Sequence, residues 1–206
     1  MKFILTSNSY SVTKSWIKEF GIKPSDMKVA FIDTAAEVYD KDEADWLNAD
    51  REALVKVGFS VIDYTLSGKT KENLQEDLSK FDVFFVSGGN SFYLLEKALK
   101  SGFVSLIKEN YFSEKIYVGS SAGSVLLSND IDIIKFLDNP DKANLETTKA
   151  IGILNFVILP HWGNDHFKLK YRKLLNVAYE KAIGGITLAD NEYLTYFSNQ
   201  LKLVKV

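Results

Sequence analysis

The stretch Ile116-Tyr117-Val118-Gly119-Ser120-Ser121-Ala122-Gly123-Ser124-Val125-Leu126-Leu127 decides the fold of this chain. A β-branched apolar run ends in Gly-x-Ser-x-Gly, and a second apolar run follows. That pattern is a buried strand, a tight turn and the start of a helix. A serine on such a turn is held in a strained conformation with its hydroxyl exposed at the carboxyl end of the strand. Ser120, Ala122 and Gly123 are small enough to let the turn close. The helix start adds backbone N–H donors and partial positive charge beside the hydroxyl. A Gly/Ser-rich turn can also merely pack, or bind a phosphate. Strand, elbow and helix in this order favour Ser121 as a nucleophile.

Outward from the elbow, short apolar runs alternate with longer amphipathic ones. The strand candidates are Lys2–Thr6, Lys28–Asp33, Phe59–Tyr64, Val83–Ser87, Ile116–Gly119, Val157–Pro160, Gly185–Leu188, Tyr193–Phe197 and Lys202–Val206. Several are apolar almost throughout, as strands covered on both faces should be. The helix candidates are Val12–Phe20, Asp42–Lys56, Lys71–Ser79, Ser91–Leu99, Phe103–Glu109 and His166–Ala182. This alternation predicts βαβ units and an α/β fold with a mostly parallel central sheet flanked by helices. From about Ile183 three short strand candidates follow one another, and they predict an antiparallel C-terminal extension. The polar segment Phe136–Thr148 reads as a long mobile loop.

Two further motifs stand at strand ends. Val86-Ser87-Gly88-Gly89-Asn90-Ser91 closes one strand and opens a helix. Glycines there let Gly88 and Gly89 N–H groups approach a ligand, as an oxyanion hole requires. Asn90 or Ser91 can cap the helix, and Asn90 stands with the two glycines as a candidate substrate-binding residue. The Ala122 N–H, next after the nucleophile, would be the second donor. Leu159-Pro160-His161-Trp162-Gly163-Asn164-Asp165-His166 holds both histidines of the chain. His161 directly follows a strand, where open α/β sheets bind ligands, and it is the natural base for a serine. His166 lies further out, as a surface or gating residue. Two histidines five apart lack the one-turn spacing of a helical metal site, so no metal or other cofactor is expected. A carboxylate must fix the histidine tautomer. Asp130 or Asp132 would give the order Ser, Asp, His; Asp190 or Glu192 would give Ser, His, acid.

The chain has 206 residues, 25 Lys+Arg against 27 Asp+Glu, and no cysteine. That length suits one domain, residues 1–206. A hydrophobic fraction of 46% excludes a disordered or collagen-like chain. A net charge of -2 gives no reason to expect nucleic acid or an anionic membrane as partner. Without cysteine there are no disulfides, thiolate metal sites or thiol nucleophile. No apolar run is long enough to span a bilayer, and the apolar start Phe3-Ile4-Leu5 is too short for a signal-peptide core. A cytoplasmic protein is expected.

Taken together, Gly88-Gly89-Asn90, Gly119-Ser120-Ser121-Ala122-Gly123, Asn129-Asp130, Pro160-His161 and Asp190-Asn191-Glu192 resemble the dipeptidase E and cyanophycinase family of serine peptidases. The resemblance runs from the first strand to the last. It implies a three-layer fold like the class I glutamine amidotransferases, with Ser121 where those enzymes carry cysteine. It also implies Ser121 as nucleophile, His161 as base, and the N–H groups of Gly89 and Ala122 as oxyanion donors. For the acid it ranks Asp130 just ahead of Glu192. Members that prefer an N-terminal Asp carry an arginine after the histidine. Phe167 or Lys168 falls near that place here, with Arg172 a turn further on, so the strict Asp preference is open.

The expected function is thus a peptidase that cuts short peptides through an acyl-enzyme. An esterase or acyltransferase would share the same triad, and a non-catalytic ligand-binding protein would share the fold. The apolar C-terminal strands offer an edge for a homodimer.

Overall fold

The computed structural model describes residues 1–206, the Lys41 side chain excepted. Seven strands form the main sheet: β1 (Lys2–Thr6), β2 (Lys28–Ile32), β3 (Ser60–Tyr64), β4 (Val83–Val86), β5 (Ile116–Ser120), β8 (Glu192–Phe197) and β9 (Gln200–Lys205). Their order is β3-β2-β4-β5-β1-β8-β9. The first five run parallel, and β8 and β9 add on antiparallel beyond β1. A separate two-stranded sheet pairs β6 (Val157–Leu159) with β7 (Gly185–Thr187).

Alternation along the strands builds the three layers. Ile4, Val29, Phe31, Val83, Phe85 and Val118 face one side, where Val12 and Trp16 of α1 (Ser9–Phe20) and Leu54 of α2 (Asp45–Lys56) cover them. Phe3, Leu5, Ala30, Ile32, Phe84, Val86 and Tyr117 face the other. That side is covered by α3 (Lys71–Leu78), α4 (Ser91–Lys100), α5 (Phe103–Lys108), α6 (Ala122–Val125) and α7 (Lys168–Glu180). All four residues of β4 are fully buried, which accounts for its unbroken Val-Phe-Phe-Val run. Each such side chain contributes roughly 1.5–3 kcal/mol relative to an exposed one. Among the described residues, no helix is long and apolar enough to cross a membrane.

Two expectations are corrected. Gly185–Thr187 does not join the antiparallel extension; it pairs parallel with β6. The intervening α7 makes a β-helix-β crossover, and such a connection brings its strands together parallel. Only β8 and β9 form the antiparallel edge. The segment 136–148 is irregular, but it is tied to α4: Asn90 Nδ2 donates to the Asn139 carbonyl at 2.9 Å, Ser91 N–H to Asp138 at 2.9 Å and Asn144 N–H to Glu96 at 2.9 Å.

Candidate active site

The carboxyl ends of the adjacent strands β4, β5 and β1 converge on a cavity of about 570 Å³. Ser121 stands at the end of β5 with φ 47° and ψ −106°, a conformation that costs on the order of 1–3 kcal/mol outside glycine. Backbone packing holds it there. A Cβ on Gly119 would lie 2.6 Å from the Gly123 backbone, and one on Gly123 would lie 2.1 Å from the Val86 carbonyl oxygen. The two glycines of the motif therefore let strand, turn and helix touch directly. Ser121 N–H donates to the Thr6 carbonyl at 3.0 Å, Ser124 Oγ to the same carbonyl at 2.8 Å, and Tyr117 OH to the Gly123 carbonyl at 2.7 Å.

Ser121 Oγ lies 2.9 Å from His161 Nε2, and His161 Nδ1 lies 2.9 Å from Asp190 Oδ1. His161 follows β6 at φ 64°, and its ring stacks on Phe167 with centroids 4.8 Å apart. Asp190 sits on the turn between β7 and β8. Burial would raise its carboxyl, but hydrogen bonds from His161, Ser7 and Asn164 together with the His161 charge hold it down to about 2. An ionised Asp190 keeps the ring proton on Nδ1 and leaves Nε2 free to accept from the serine hydroxyl.

Asp130 and Glu192 do not reach the histidine. Asp130 pairs with Lys149 at 2.9 Å and accepts the Asp132 N–H at 2.9 Å, on the wall of a different cavity. Asp132 pairs with Lys135 at 2.9 Å. Glu192 opens β8 and folds its carboxylate back onto the Ala189 N–H at 3.0 Å, with Lys205 at 3.4 Å. It closes the turn that presents Asp190. Asn90 is also corrected as a ligand-facing residue. Its Oδ1 accepts the Phe92 and Tyr93 N–H groups and its Nδ2 bonds Asn139, so it is spent on capping α4.

Gly88 and Gly89 line the cavity beside Ser121. Gly89 has φ 137° with its back against the Ala35 carbonyl, where a Cβ would come within 2.2 Å. The Ala122 N–H opens α6 and has no acceptor within that helix. His166 and Lys170 also line the cavity, and Lys170 Nζ donates to the Leu137 carbonyl at 3.0 Å.

One residue escaped sequence reasoning. Ser7, buried at the end of β1, accepts the His161 N–H at 2.7 Å and donates to Asp190 Oδ1 at 2.6 Å. Its signal was a polar Thr6-Ser7-Asn8 step directly after an apolar strand, at the sheet end where ligands bind.

The model of peptidase family S51 matches residues 3–204. An uncharacterized peptidase of Listeria innocua is 30% identical, with 97% of this chain and 98% of that protein covered. Peptidase E of Shewanella oneidensis is 33% identical over 54% of this chain and 47% of its own length. A crystallised Listeria monocytogenes protein, provisionally described as a peptidase E, superposes with a TM-score of 0.89 at 27% identity, covering 100% of this chain and 98% of that one.

Proposed function

Because the chain belongs to peptidase family S51 and is a peptidase E-like serine peptidase, we propose that it hydrolyses short peptides with Ser121 as nucleophile, His161 as general base and Asp190 as the carboxylate that orients the base. The observation that carries this reading is the unbroken chain of contacts, 2.9 Å from Ser121 Oγ to His161 Nε2 and 2.9 Å from His161 Nδ1 to Asp190.

Ser121 Oγ attacks the scissile carbonyl carbon while its proton passes to His161 Nε2. The imidazolium forms against an Asp190 that is already ionised. The carbonyl oxygen takes up the negative charge and is met by the N–H groups of Gly89 and Ala122. Collapse breaks the C–N bond, and His161 hands its proton to the leaving amine. Water, deprotonated by His161, then releases the acid product and restores Ser121.

The cavity supports short substrates, since the 136–148 segment, α7 and α2 wall it in. Phe167 spends its ring on His161 and cannot pair with an acidic substrate side chain. Lys170 is the cation on the wall, and it supports acceptance of an N-terminal Asp dipeptide through a single charge rather than a bidentate fork.

The test is a mass-shift assay with a fluorophosphonate, followed by a dipeptide panel. One adduct on the wild type, lost in Ser121→Ala, together with dipeptide hydrolysis is the expected result. An adduct with turnover of p-nitrophenyl esters but of no dipeptide would replace the peptidase by an esterase.

A further inference from the structure

The catalytic contacts leave one wall of the cavity unused. Asp50 of α2 is only 3% exposed, yet it lines the cavity with Trp46, one turn earlier, and Tyr10 of α1. One carboxylate oxygen accepts the Tyr10 N–H at 2.8 Å. The group stands next to Ser120, whose hydroxyl oxygen in turn accepts the Ser9 N–H at 3.3 Å. Ser120 is the chain neighbour of the nucleophile. Among the described residues Asp50 has no ion-pair partner. Burial pushes its carboxyl up to about 6, against hydrogen bonds from Ser120 and Tyr10 and the charge of His161, which pull it down.

A buried carboxylate without a cation is a costly placement, and an arriving cation relieves it. Capping α1 would use one oxygen and needs no face on the cavity. In a substrate cut at its first peptide bond, a single Cα separates the α-ammonium from the scissile carbonyl. The group that receives the ammonium must therefore share the nucleophile's cavity, and Asp50 lines the same cavity as Ser121 beside its chain neighbour Ser120. Building on the peptidase reading above, we propose that Asp50 is the residue that receives the α-ammonium of the substrate and so sets the preference for a free amino terminus over a blocked one.

The experiment compares Ala-Leu and Asp-Leu with N-acetyl-Ala-Leu and N-acetyl-Lys-Leu on the wild type and on Asp50→Asn. The wild type is expected to favour free over acetylated termini by about 100-fold in kcat/KM, the size of a lost charge-assisted contact. Asp50→Asn keeps an acceptor for the Tyr10 N–H, and a melting curve checks its fold. It is expected to raise KM for the free dipeptides and collapse the preference, while Ser121 still reacts with the fluorophosphonate. Equal rates on free and acetylated peptides in the wild type overturn the proposal without recourse to the variant. So does a preference that survives in a folded Asp50→Asn. Cleavage of N-acetyl-Lys-Leu as fast as Ala-Leu assigns Asp50 to a side-chain cation instead and also overturns it. Failure of the wild type to take up the fluorophosphonate sinks the serine-peptidase reading itself, and the Asp50 proposal with it.

Discussion

The two sheets hold the two halves of the site in different ways. The seven-stranded sheet carries Ser121, and every residue of its strand β5 is buried. Backbone packing around Gly119 and Gly123 fixes that serine. The two-stranded sheet carries His161 and Asp190, and its strand β7 is exposed to half-buried. Side-chain hydrogen bonds hold that pair, and two of them run to one hydroxyl, Ser7, which belongs to the other sheet. A serine set by packing is insensitive to the loss of any one polar group. A histidine–carboxylate pair set by a polar network is not.

The sharpest way to break this arrangement is Asp190→Asn. With the tautomer no longer fixed, kcat should fall by about 10⁴-fold. Asp130→Asn and Glu192→Gln should stay close to wild type in the same steady-state assay, and the opposite ranking would reinstate one of them as the acid. Next comes Ser7→Ala, which should lower kcat by about 10–100-fold with KM nearly unchanged, the cost of a bond to a charged group. A Ser7→Ala enzyme with wild-type kcat would show that the two sheets stay aligned without it. On α7, Lys170→Met should raise KM for Asp-Leu by about tenfold and leave Ala-Leu unaffected, as loss of a single partly solvated charge predicts.

The smallest effect is on stability. Asp190 is held below its unfolded value, so it stabilises the fold above about pH 4, and that share is lost as pH falls toward about 2. Asp50 is shifted the other way, so its cost appears as pH rises from about 4 to about 6. The melting temperature of Asp50→Asn should therefore gain on wild type between pH 4 and pH 7, by about 5 °C. For Asp190→Asn the deficit should be full at pH 7 and shrink toward pH 2. Parallel trends for the two variants would contradict the opposite charge preferences of the two walls.

The sequence made the strands legible because β-branched runs such as Val-Phe-Phe-Val can be buried only between two helical layers. Ser121 and His161 were legible because each directly follows such a strand. The acid was not. Asp190 and Glu192 lie two residues apart on one turn, and only the folded direction of each carboxylate separates them: one meets Nδ1 of His161, the other the Ala189 N–H. Asp130 drew support from its place after Asn129, yet its partner is Lys149, 19 positions away. Ser7 was hidden for a related reason: its partners lie 154 and 183 positions along the chain. Local pattern carries no register at that range.

That separation governs when the enzyme becomes active during its synthesis. The chain emerges from its amino terminus, and a domain folds as a unit. The residues of the elbow, with the Thr6 carbonyl that anchors it, are all present once α6 has been made. His161 and Asp190 arrive much later, and the strand that follows them must still slot in beside β1. On the proposed mechanism, a ribosome-bound fragment ending after α6 holds the serine without its base, and reactivity toward a fluorophosphonate switches on only when the last strands dock.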